Sequence, residues 1–82
     1  MTNFLKPQLD RISGAKVVSS LKRLGFTEVD SEENHVLLTR WTRKGKVGCV
    51  VLLHPELTSV TLRRILKQAE VTWEEFRENL EL

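Results

Sequence analysis

Apolar positions along the chain switch between a helical and an alternating period, and the switches mark out six elements. Val17, Val18, Leu21 and Leu24 recur at helical spacing. Ser13 stands ahead of them as an N-cap, Ile12 can pack on Val17 as a hydrophobic staple, and Gly25 supplies a left-handed stop, which predicts a helix over 14–24. Phe26–Asp30 alternates apolar and polar residues as a short strand, and Ser31–Asn34 reads as a turn. His35–Thr42 and Lys46–Leu53 are rich in β-branched and apolar residues and are joined by Arg43-Lys44-Gly45, the pattern of an antiparallel hairpin. After Pro55, Leu62, Ile65, Leu66 and Ala69 fall at i, i+3, i+4 and i+7 behind a Thr58 or Ser59 cap. Thr72 and Glu75 have capping-box spacing, opening a short helix over about 73–80 that turns Trp73, Phe76 and Leu80 inward.

The order α-β-β-β-α-α predicts an α+β domain with helices packed on one face of a three-stranded antiparallel sheet. Residues 1–12, with Pro7 and no clean period, read as an N-terminal extension, and 13–82 as the single domain. Alternation places His35, Leu37, Thr39 and Trp41 on one face of the second strand and Val36, Leu38, Arg40 and Thr42 on the other. Period alone does not say which face meets the helices. If Val36 and Leu38 do, His35 is open to solvent and shares its face with Leu37, Trp41, Val50 and Leu52, an apolar patch that calls for a protein partner, with Trp41 as the anchor. In the inverted arrangement the same residues form the core.

At 82 residues and 40% hydrophobic, the chain has material for one small core and little room for a deep pocket. Its net charge of +2 conceals segregation. Five basic residues stand against one acid in 1–27, four acids stand alone in 28–39, seven basic residues stand against Glu56 in 40–69, and five acids stand against Arg77 in 70–82. The basic stretches would form a polyanion-binding face if folding joined them, with Arg40, Arg43, Lys44, Lys46, Arg63, Arg64 and Lys67 as the candidate binding residues; otherwise they solvate outer faces.

Most other chemistries lack their residues. Cys49 alone can form no internal disulfide, and with two histidines it cannot complete a structural zinc set; it reads as a small buried hydrophobe in a reducing, cytoplasmic setting. Four scattered glycines make no phosphate loop, and no serine has a nucleophile-elbow context. Glu32 and Glu33 could chelate a cation, but a solvated turn explains them more simply, so no metal and no cofactor is expected. The uncharged runs are too short to span a bilayer and no secretory signal pattern opens the chain, so a soluble protein without membrane attachment is expected. His35 and His54 remain as the side chains able to move protons near neutral pH, with His54 at a strand end where a structural hydrogen bond to the turn is the ordinary role.

The blocks Ser13–Phe26, Asn34–Leu38, Val51–Leu57, Thr61–Ala69 and Thr72–Phe76 together resemble the HicA-type (YcfA-like) toxin family, in order and spacing, over about residues 12–80. The most specific part is Thr61-Leu62-Arg63-Arg64-Ile65-Leu66-Lys67-Gln68-Ala69 followed by Glu74-Glu75-Phe76. The resemblance implies a prokaryotic messenger-RNA interferase with a double-stranded-RNA-binding-domain-like fold, the toxin of a toxin–antitoxin pair, neutralised by a HicB-type antitoxin. It places the catalytic histidine at His35, as general acid or base in metal-independent cleavage, and a supporting histidine at His54. The chain departs from the family pattern where Glu33-Asn34 replaces a Gly-Ser pair before His35, which sets a negative charge beside any bound phosphate. Leu52 and Val60 stand where the family has proline and glycine. A non-catalytic RNA-binding or protein-interaction module on the same fold is the alternative.

Overall fold

A computed structural model describes residues 12–80 and contains α1 (Gly14–Arg23), β1 (Thr27–Glu32), β2 (His35–Thr42), β3 (Gly45–Leu52), α2 (Ser59–Ala69) and α3 (Trp73–Glu78). The strands form one antiparallel sheet in the order β1-β2-β3. Residues 1–11, most of the predicted extension, lie outside the described residues. Ile12 is buried, and its carbonyl accepts a hydrogen bond from Leu57 N at 2.8 Å.

Local chemistry sets the helix ends. Ser13 Oγ accepts from Lys16 N at 3.1 Å, and Gly25 takes φ 99° after Leu24, a left-handed stop that a side chain would strain. Thr58, rather than Ser59, caps α2, accepting from Thr61 N at 3.1 Å. Thr72 and Glu75 form the complete capping box of α3. The core gathers Val17 and Leu21 of α1, Val36 and Leu38 of β2, Cys49 and Val51 of β3, Leu62, Ile65, Leu66 and Ala69 of α2, and Phe76 of α3. Ser20, fully buried on α1, donates to the Phe76 carbonyl at 3.1 Å and so satisfies its hydroxyl while tying α3 to α1.

Several boundaries differ from the sequence reading. β1 starts at Thr27 and continues through Ser31 and Glu32, leaving a two-residue turn, Glu33-Asn34, in place of the predicted four-residue one. Phe26 is not part of the strand: its N–H closes the end of α1 on Leu21 O at 3.0 Å, and its ring is buried. β1 is exposed throughout, with a bulge between Glu28 and Asp30 that puts Val29 out of register. It lies at the sheet edge, while α1 and α2 pack over β2 and β3. At its far end α3 stops at Glu78, inside the predicted limit of 80.

Candidate functional site

Burial decides between the two face assignments. Val36 and Leu38 of β2 and Val47, Cys49 and Val51 of β3 are buried against the helices, so His35, Leu37, Thr39 and Trp41, with Lys46, Gly48, Val50 and Leu52, line the open face. His35 opens β2 there. It lies between Leu52 on β3 and Glu32 on β1, its two cross-strand partners, and is itself exposed.

A shallow depression of about 260 Å³ surrounds the imidazole, lined by Asp30, Ser31, Glu32, His35, Leu37 and Val50. Pairing puts Asp30 opposite Leu37 and Glu32 opposite His35, so both carboxylates share the histidine's face. No ion pair or hydrogen bond engages the imidazole among the described residues. It is therefore free to meet a substrate. Among those residues, no group of three or more His, Cys, Asp or Glu is placed to hold a metal ion.

The strand end that carries His35 is clamped from behind. Leu53 N donates to Asn34 O at 2.8 Å, extending the β2–β3 pairing past His35, and Gly14 N donates to His54 O at 2.9 Å, fastening the end of β3 to the start of α1. His54 thus holds the turn through its main chain. Its side chain is exposed and makes no hydrogen bond among the described residues.

The basic residues do not converge on His35. Arg43 and Lys44 form the turn at the opposite end of the hairpin, some 25 Å along the strands at ~3.3 Å per residue. Lys46 is on the open face but near that far end, its ammonium 5.8 Å from the centre of the Trp41 ring. Arg40 points to the helix side: Nη1 donates to Leu24 O at 2.9 Å, and the guanidinium lies 4.7 Å over Phe26. Arg63, Arg64 and Lys67 are exposed on α2, which packs behind the sheet. Of the apolar candidates, Trp41 is 73% exposed and Val50 44%, while Leu37 and Leu52 are half-buried.

Asp30, Ser31 and Glu32 are the site residues that the sequence reading missed. Reading Glu33-Asn34 as a two-residue turn would have found them, because it sets Glu32 directly opposite His35.

The fold and site together define a small α+β domain of helix, three-stranded sheet and two helices, with one sheet face left open around a free histidine. The chain matches, over residues 14–71, the family described as HicA toxin of bacterial toxin–antitoxin, and it belongs to that family. No curated protein matches it. The fold agrees with the double-stranded-RNA-binding-domain-like arrangement that the resemblance implied. No helix among the described residues is long and apolar enough to cross a membrane.

Proposed function

We propose that this toxin is an endoribonuclease that cleaves messenger RNA with His35 as its proton-transfer group, and that a HicB-type antitoxin silences it in the cytoplasm by covering the open sheet face. The observation that carries the reading is the position of His35: exposed, unpaired and set in a depression at the end of β2. An imidazole there can take the proton of a ribose 2′-hydroxyl as its oxygen attacks the adjacent phosphorus, or protonate the departing 5′-oxygen. His54, the other histidine, follows the end of β3 and is not among the residues that line the depression.

Asp30 and Glu32 shape what reaches the imidazole. Two carboxylates on its face repel phosphate and favour a cationic or neutral partner group, while Leu37, Val50 and Leu52 beside them offer apolar contact. This arrangement supports a slow nuclease whose exposed face is suited to a protein inhibitor. It also gives the binding-module alternative its one specific support, because no cation lines the depression.

Expression of the wild type and His35→Ala in cells, with growth and messenger-RNA integrity scored together, tests the proposal. Arrest with RNA loss in the wild type alone is the expected outcome. Intact RNA with both proteins folded and present would refute it in favour of a binding module.

A further inference from the structure

On the helix side of the molecule, α2 and α3 border a second hollow of about 460 Å³, lined by Ser59, Arg63, Leu66, Lys67, Val71 and Trp73. Its chemistry is the reverse of that around His35. No carboxylate lines it. Arg63 and Lys67 stand one turn apart on α2, at i and i+4, where side chains are neighbours. Both are exposed, and among the described residues neither is held in an ion pair. Buried Leu66 and Val71 supply an apolar floor, and Trp73 a half-buried aromatic wall.

Trp73 is fixed from one side. Its ring centre lies 5.6 Å from that of Phe76 at an interplanar angle of 41°, and Phe76 is fully buried with its carbonyl held by Ser20. The indole is thus backed by Phe76, partly exposed, and shares its hollow with the two cations Arg63 and Lys67. A plane beside cations is the arrangement that binds a single nucleic-acid strand, the base stacking on the ring and the backbone lying along the charges. The volume falls in the range of small-ligand sites, about 300–1,000 Å³. An acidic peptide would satisfy Arg63 and Lys67 but leave the indole plane without a partner.

We propose that this hollow anchors single-stranded RNA, one base stacking on Trp73 and the adjoining phosphates contacting Arg63 and Lys67. The inference rests on RNA being the toxin's substrate, but not on His35 being the reactive group. Because α2 packs behind the sheet and His35 faces away from the helices, the site holds a strand and takes no part in its cleavage.

The test is a titration with an octaribonucleotide methylated at every 2′-oxygen, which cannot be cleaved through that hydroxyl. Trp41 and Trp73 are the chain's two tryptophans, so a Trp41→Phe background makes Trp73 the reporter. Binding is expected to quench its emission. Arg63→Ala with Lys67→Ala should weaken binding at least tenfold, with the melting temperature kept, and should flatten the log–log salt slope by about 1.4, two phosphate contacts at ~0.7 each. His35→Ala should leave the quenching unchanged. Binding without quenching, equal affinity in the double variant, or displacement by hexaglutamate at the same concentration as by RNA would each overturn the anchor. Quenching by the methylated strand while an unmethylated octamer of the same sequence stays intact would sink the ribonuclease reading and leave the anchor standing; cutting of the unmethylated octamer without quenching by the methylated one would do the opposite.

Discussion

Gly14 and Leu52 are packed so closely that no side chain fits between them: a Cβ on Gly14 would collide with the Leu52 carbonyl oxygen and lie 2.8 Å from its carbon and 2.9 Å from Leu53 Cα. The first residue of α1 therefore rests directly on the end of β3, and Leu52 in turn pairs with His35. Close approach of two backbones is what positions the histidine.

Gly14→Ala should accordingly destabilise the fold by about 3 kcal/mol, the upper end of the overpacking range, because the obstacle is main chain and cannot rotate away. Gly48→Ala is the control. Its Cβ would meet Thr39 Cγ2 at 3.5 Å, an ordinary contact on the open face, so stability should stay within about 0.5 kcal/mol of wild type. Urea unfolding of the two variants checks both values.

Arg40 should behave as a structural residue. Arg40→Ala removes the 2.9 Å bond to Leu24 O and the stacking over Phe26, together worth about 2 kcal/mol. The same change should leave the salt dependence of any RNA binding untouched, since the guanidinium is held by Leu24 O and the Phe26 ring. A flattened salt slope in Arg40→Ala would show that it meets phosphate after all.

How far such roles could be read from sequence differs from element to element. Ser13, Gly25 and the Thr72–Glu75 pair announced helix ends because capping is local chemistry within a few residues. The alternation through His35–Thr42 separated the two faces, but only packing could say which one the helices cover. Ser31 and Glu32 have little strand propensity and join β1 because β2 lies alongside to pair with them, a tertiary effect that no local window contains. Arg40 and Arg43 look alike in sequence; one is spent on the end of α1 and the other stands in the hairpin turn, a distinction made by topology alone.

Trp41 should separate binding from stability. With 73% of its surface exposed, Trp41→Ser should change the unfolding free energy by no more than about 0.5 kcal/mol. If the open face is the antitoxin's seat, the same substitution should weaken the complex by about 2 kcal/mol or more, read by calorimetry. An unchanged affinity would move the interface elsewhere.

Cys49 is 2% exposed, and burial pushes its thiol up from 9.0 to about 11. Below pH 9 the thiol is protonated in folded and unfolded chains alike, and its burial contributes in full. Between pH 9 and about 11 the unfolded thiol loses its proton while the folded one keeps it, so this contribution falls as pH rises. The stability gap between wild type and Cys49→Ala should therefore narrow across that window, measured by denaturant titration at stepped pH. A constant gap would mean that the folded thiol ionises as readily as the unfolded one.

If His35 performs the chemistry, the cleavage rate of a defined RNA, measured with chelator present, must differ between the purified toxin and His35→Ala. The wild type should cleave, and the variant should lose about a hundredfold or more of that rate, the ordinary contribution of a positioned acid or base, with the melting temperature unchanged. Equal rates from the two folded proteins would contradict it.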